Sequence, residues 1–231
     1  MEKTEKKAYK LILIDMDGTL YDMEDMVLEG YNSALDYLVW YQGFSIAEAK
    51  ALLEENHIYP YVCEDACSAT AFFMSRGYDV QEWDRKRSEN FNCQPIVRKK
   101  AMKVENLRKL SEMAPLVLLT NNTIKNVRCV LQHLNIPEDI FAEIFCNEKN
   151  NKTPSKKPLM KQLMEKYHAK PEETLSIGDR YNVDGKPLVE LGGDALIIRK
   201  PQFIEEYLND KESDIHYSFY EGNTFDHSEV I

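Results

Sequence analysis

Long apolar runs are missing from this sequence, and so is any excess of positive charge. No stretch approaches the roughly 20 consecutive apolar residues that a membrane-spanning helix needs, so no membrane is expected among its partners. Lysine and arginine number 29 against 39 aspartates and glutamates, for a net charge of −10. Nucleic acid and anionic lipid both call for clustered basic residues, and neither is an expected partner. The first residues, Met1 to Lys7, are charged and lack the apolar centre of a signal peptide, which points to the cytoplasm. Cysteine is sparse and odd in number: Cys63, Cys67, Cys93, Cys129 and Cys146. Only Cys63 and Cys67 are close, and no set has the spacing of a zinc site. Buried free thiols in a reducing compartment are therefore expected. Internal repeats and low-complexity linkers are absent as well.

What remains is a composition ordinary for a globular chain, with 43% hydrophobic and 29% charged residues. The length suits one large domain, or a core domain carrying an insertion. One stretch carries unusual chemistry, Leu11-Ile-Leu-Ile-Asp-Met-Asp-Gly-Thr-Leu-Tyr-Asp22. Four aliphatic residues bounded by a turn signal read as a strand buried on both faces. Positions two apart on a strand point the same way, so Asp15 and Asp17 leave its end side by side. Two neighbouring carboxylates oppose stability, through repulsion and through burial. A divalent cation or a phosphate-handling site would offset that cost.

Residues 23 to 101 hold no convincing strand. Tyr31, Ala34, Leu35, Leu38 and Val39 recur with helical period, and Ser45 and Glu48 form a capping box for a second helix. A third helix is expected from Cys63 to Arg76, stopped by Gly77, and a fourth after Asp79 through about Phe91. From Met102 the pattern becomes alternating. Helices are expected over Met102–Met113, Thr123–Asn135, Pro158–His168 and Val183–Leu191. Strands are expected at Leu116–Leu119, Glu143–Cys146, Thr174–Ile177 and Ala195–Ile198. Such alternation predicts an α/β fold with a parallel sheet covered by helices on both faces. Residues 1–22 and 102–231 would form that core and 23–101 an all-helical insertion, while the tail beyond Asn209 shows no readable pattern.

In an open parallel sheet, ligands bind beyond the carboxyl ends of the strands, so other apt residues should follow the other strands. Thr120, Asn121, Asn122 and Thr123 follow one strand at a helix start. They could bind a phosphate oxygen or simply cap the helix, and both readings stand. Lys156 and Lys157 precede Pro158 at another helix start. Leu175-Ser-Ile-Gly-Asp179 ends a strand in Gly-Asp, and Asp184 follows five residues on. Mg²⁺ favours oxygen ligands and is held by one or two carboxylates plus waters.

These four segments, in this order, resemble the motifs of the haloacid dehalogenase-like hydrolases: Asp-x-Asp-Gly-Thr, a strand ending in Thr or Ser, a Lys-Pro at a helix start, and Gly-Asp with a second Asp. The resemblance covers roughly residues 8 to 200. It implies a Rossmann-like core with a helical cap between the first and second motifs. It also implies Asp15 as nucleophile, Asp17 as general acid/base, and Mg²⁺ held by Asp15, the main chain of Asp17, and Asp179, with Asp184 as ligand or support. Thr120, Asn121 and Lys157 would hold the phosphoryl group, with Lys156 as the competitor to Lys157.

The expected activity is Mg²⁺-dependent hydrolysis of a small phosphorylated metabolite, such as a nucleoside monophosphate or sugar phosphate, through an aspartyl-phosphate. A phosphomutase and a non-catalytic binding protein on the same fold are the alternatives. Dehalogenases and phosphonatases of this family lack the carboxylate that Asp17 supplies. Met23, Met26, Tyr59 and Tyr61 are candidates for lining the substrate pocket, and the chain is expected to be a monomer or homodimer.

Overall fold

The computed structural model describes residues 7–62, 67–146, 155–209 and 217–220. Its sheet has six strands: β1 (Leu11–Ile14), β2 (Leu116–Thr120), β3 (Glu143–Cys146), β4 (Thr174–Gly178), β5 (Asp194–Ile198) and β6 (Tyr217–Tyr220), in the order β3-β2-β1-β4-β5-β6. β1 to β5 run parallel, as the alternating pattern requires, and β6 returns antiparallel along β5. The expected strands are all present. β6 lies in the tail that showed no readable pattern, where Tyr217-Ser-Phe-Tyr220 pairs with Ala195–Ile198.

Residues of β1 alternate between two packed layers. Ile12 and Ile14 point with Leu116, Leu118 and Ile177 toward helices α5 (Val104–Met113) and α6 (Ile124–Leu134). Leu11 and Leu13 point with Val117 and Leu119 toward helix α7 (Lys157–Lys166). This is the Rossmann-like architecture, with helices on both faces of a mainly parallel sheet. The helix expected over Val183–Leu191 is present but starts earlier and is wound more widely at first: Tyr181–Gly185 is π-helical and runs directly into an α-helix at Lys186–Val189, with Pro187, which lacks an N–H, in the first turn of the latter.

Between β1 and α5 lie the α-helices α1 (Val27–Asp36), α2 (Ile46–Glu55), α3 (Ala69–Ser75) and α4 (Val80–Glu89). The capping box of Ser45 and Glu48 forms, and Asp79 accepts hydrogen bonds from the backbone N–H groups of Gln81 and Glu82 at the start of α4. α3 is shorter than expected, beginning after Ser68, which caps it; the earlier half of that expectation includes residues 63–66, outside the described residues. These helices own a separate core, built around Tyr37, Phe73 and Trp83. The ring centroids of Phe73 and Trp83 are 4.7 Å apart, and Tyr37 meets both edge-on. The return segment from Phe91 packs instead on the sheet domain, as do Cys93, Ile96 and Ala101.

One cysteine expectation is corrected. Cys93 and Cys129 are disulfide-bonded, with Cα atoms 6.4 Å apart, and so are not free thiols. Their separation of 36 residues hides the fact that the return segment lies against α6. Cys67 is a free thiol and is exposed rather than buried; Cys63 lies outside the described residues.

Candidate active site

The three central strands of the sheet, β2, β1 and β4, end side by side, and each delivers a polar residue just past its last apolar position. Asp15 follows β1 and is buried, with its N–H donating to the Ile177 carbonyl at 2.9 Å. Thr120 closes β2 with no exposure, and Asp179 follows Gly178 at the end of β4.

Two glycines make this convergence possible. A Cβ on Gly18, whose φ is +78°, would sit 2.1 Å from Asp179 Oδ2. One on Gly178 would meet the Cβ of Asp184 at 2.3 Å. The chain thus strips side chains where the carboxylates must close in.

Asp15, Asp179 and Asp184 each offer a carboxylate oxygen within 4.8 Å of the other two. Asp184 is 1% exposed, and its carboxylate accepts from the Arg180 N–H at 3.1 Å. The Lys156 ammonium lies between Asp15 and Asp184, 2.7 Å from an oxygen of each, and is itself 2% exposed. Here a sequence expectation needs correction. Lys157, favoured for its place before Pro158, is partly exposed and bonds Glu190 at 2.6 Å on the outside of the fold. Lys156 is the lysine at the carboxylates. The helical phase explains it: Leu159, Met160, Leu163 and Met164 form the buried face of α7, and Lys156 extends that face one turn back.

The electrostatics suit a cation. Burial, with the charges of Asp184, Asp17 and Asp179, raises the Asp15 carboxyl despite Lys156. Burial pushes Asp179 up to about 7; Arg180 opposes this, and Asp184 and Asp17 reinforce it. Burial works to lower the Lys156 ammonium, but Asp15 and Asp184 together outweigh it and hold the ammonium above its usual value. Four carboxylates thus face one buried ammonium and the half-exposed Arg180 guanidinium. The inner oxygen of Asp179, Oδ1, is buried and has no hydrogen-bond partner, although Arg180 Nε stands 3.7 Å away. An orphaned carboxylate oxygen beside two other carboxylates is a donor set suited to a hard divalent cation.

Asp17 sits at the rim, outside that trio. The Tyr21 hydroxyl donates to its Oδ1, and Asn122 Nδ2 lies 3.3 Å from both of its oxygens. Burial first, then the charge and hydrogen bond of Asp17, holds the Tyr21 phenol well above its usual value, so it remains a donor.

Thr120 Oγ1 accepts from the Asn122 N–H at 3.1 Å, whereas Thr123 is the residue that caps α6. The capping reading of this segment therefore falls on Thr123. Asn121 is exposed at the same turn. Tyr21 had no assigned role in the sequence, and Asn122 was singled out only as part of the turn that could bind phosphate or cap the helix, yet both touch Asp17.

A cavity of about 450 Å³ lies between α1 and α4, lined by residues including Glu29, Asn32, Tyr41, Lys86 and Arg87. Burial raises the Glu29 carboxyl, with Arg87 opposing and the Asp17 charge adding to the effect. Of the expected lining residues, Met26 is instead buried in the sheet-domain core; Met23 is exposed, and Tyr59 stacks on the exposed Tyr61 at 5.3 Å. None of the four lines the cavity.

A family model for haloacid dehalogenase-like hydrolases matches residues 9–192. No curated protein matches the sequence. Among solved structures, the chain is similar to an HAD phosphatase from Thermococcus onnurineus, at 18% identity and TM-score 0.55, over 88% of this chain and 100% of that one. It is also similar to the HAD hydrolase YfnB from Bacillus subtilis, solved with magnesium, at 20% identity and TM-score 0.52 over the same shares. A third is CbbY from Rhodobacter sphaeroides, in complex with phosphate, at 17% identity and TM-score 0.53, over 81% of this chain and 84% of that one. No helix among the described residues is long and apolar enough to cross a membrane.

Proposed function

This chain belongs to the haloacid dehalogenase-like hydrolases, and from that premise we propose that it is a Mg²⁺-dependent phosphatase acting on a small, polar phosphate monoester. The observation that carries the reading is the buried Lys156 ammonium held between Asp15 and Asp184, alongside an Asp179 oxygen that accepts no hydrogen bond. Such an array is costly unless an anion and a cation complete it.

In this reading Asp15 attacks phosphorus, forming an Asp15–phosphorus bond as the bond to the leaving oxygen breaks. Asp17 gives that oxygen its proton, then takes one from the water that hydrolyses the aspartyl-phosphate. The Thr120 hydroxyl, the Asn121 N–H and Lys156 hold the phosphoryl oxygens. Asp15, Asp179 and the main-chain carbonyl of Asp17 would hold Mg²⁺, with Asp184 in support. The chemistry Mg²⁺ supplies when bound is neutralisation of charge between nucleophile and phosphate. The inserted helices act as a cap, and the cavity between α1 and α4 takes the leaving group. Arg87, whose Nε is buried there without a partner, and Glu29 suit a hydrogen-bonding leaving group rather than an apolar one.

The test is phosphate release from nucleotides, sugar phosphates and an aryl phosphate, with Mg²⁺ or with EDTA, for the wild type and Asp15→Asn. Release that needs Mg²⁺ and disappears in the variant is expected. Release by Asp15→Asn at the wild-type rate would refute the covalent mechanism.

A further inference from the structure

A chain of buried polar side chains runs from the inserted helices to Asp17. Ser88, near the end of α4, is 8% exposed; its hydroxyl donates to Asn126 Oδ1 at 3.0 Å. Asn126, fully buried on α6, donates through Nδ2 to Asn122 Oδ1 at 2.8 Å. Asn122, 4% exposed, then presents Nδ2 to both oxygens of Asp17.

The direction of every link is fixed. The Thr123 N–H can only donate, and it donates to Asn122 Oδ1 at 3.0 Å, so the Asn122 amide must turn its NH₂ toward Asp17. The same logic orients Asn126, and the Thr123 hydroxyl, 2.8 Å from Ser88 Oγ, completes the run as donor. Lys125 Nζ ties the same helix end, reaching the Ser88 and Glu89 carbonyls at 2.7 and 3.2 Å. Successive dipoles thus point their positive ends at one carboxylate, in surroundings dry enough for each bond to strengthen the next.

We propose that Asn122 and Asn126 are positioning residues for Asp17, and that Ser88 makes the alignment of Asp17 depend on α4 being seated against α6. The chain moves no proton: two amides cannot pass one along. It sets the plane of the Asp17 carboxyl, with Tyr21 fixing one oxygen from another direction. Of its members only Ser88 belongs to the inserted helices, so displacement of α4 breaks it at its first link while leaving Asp15, Lys156 and Asp179 untouched.

This rests on the phosphatase reading, in which Asp17 is the acid that protonates the leaving group. An alkyl phosphate, with a poor leaving group, needs that acid; an aryl phosphate with a nitrophenolate leaving group hardly does. The experiment measures kcat and KM for both substrate types in the wild type, Asn122→Ala, Asn122→Asp and Ser88→Ala. Asn122→Asp keeps the shape and removes the donor. For both Asn122 variants we expect kcat/KM, which reports formation of the aspartyl-phosphate and not its later hydrolysis, to fall at least ~10-fold further on the alkyl phosphate than on the aryl phosphate, within the 10²–10⁴ range of general acid catalysis. Ser88→Ala should show the same bias more weakly. Equal losses on the two substrates, or no loss, would overturn the proposal and leave Asn122 a structural residue. Because Ser88→Ala changes one hydroxyl at the edge of the chain, it tests the coupling even if the Asn122 variants fold poorly; an unbiased Ser88→Ala would overturn the role of α4. A wild-type enzyme that releases phosphate from neither substrate would refute the phosphatase reading itself, and this proposal with it.

Discussion

Lys156 and Lys157 are adjacent, but their removal should differ several-fold in effect. Lys156 Nζ is 2.7 Å from Asp15 and 2.7 Å from Asp184, and the exposures of the three side chains are 2%, 5% and 1%. Lys156→Met keeps the length of the stem and leaves two carboxylates facing each other without a counter-charge. Breaking a buried ion pair from one side costs about 3–5 kcal/mol. At roughly 2–4 °C per kcal/mol for a chain of this size, Tm should fall by about 6–20 °C. Lys157 pairs with Glu190 where the side chains are 33% and 46% exposed, a setting in which a pair contributes about 0–1 kcal/mol, so Lys157→Met should shift Tm by less than about 4 °C. The assay is thermal unfolding in EDTA at pH 7.5.

A pH series separates charge from packing. With the ammonium gone, Asp15, already raised by burial, titrates higher still. An acid whose folded value is raised favours folding below its ordinary value and loses that contribution as pH rises through the folded one. The Lys156→Met deficit should therefore shrink as pH falls toward 4, whereas a packing defect would persist. Equal losses for the two variants, or a Lys156→Met deficit that ignores pH, would refute the placement of Lys156.

Other outcomes follow from the same geometry. Asp179, pushed up to about 7 chiefly by burial, opposes folding of the metal-free protein increasingly as pH rises from about 4 to that value, so Asp179→Asn should raise Tm in EDTA most at pH 8 and least near pH 4, and weaken the response to Mg²⁺. Mg²⁺ at about 100 times its dissociation constant should stabilise the wild type by about 2.7 kcal/mol, read as a Tm rise that EDTA reverses. Gly178→Ala places a methyl against Asp184 and should cost about 1–3 kcal/mol together with most phosphate release, since the Asp184 side chain must move. The Cys93–Cys129 bond closes a separation of 36 residues; Cys93→Ser should lower the stability of the oxidised protein by about 3–4 kcal/mol, and thiol titration of the unfolded, unreduced protein should find fewer than the five cysteines of the sequence.

The strands and their ends were legible because one signal served two purposes. A run such as Leu11–Ile14 must be apolar to be buried on both faces, so the first carboxylate after it marks the place where the buried sheet ends. Asp15, Thr120 and Asp179 were found that way, and the sheet order brings their three strands together. Lys156 escaped because the Lys-Pro pattern was read as linear order, while the choice between two adjacent lysines is a matter of helical phase. Counting back from Leu159 and Met160 places Lys156, not Lys157, on the buried face. Asn126 carried a similar signal, an amide on a helix face otherwise made of Val127, Val130, Leu131 and Leu134. Ser88 carried none. It sits near the end of a polar helix, and its partners lie 35 and 38 residues away. Periodicity reports which face of an element is buried, but not which other element covers it. The contact between α4 and α6 depends on how the inserted helices return to the sheet, and that is set by the Phe91–Ala101 segment packing on the core. The carboxylates and the threonine at the strand ends were therefore readable from the sequence, whereas the residues that could couple them to the inserted helices became visible only in three dimensions.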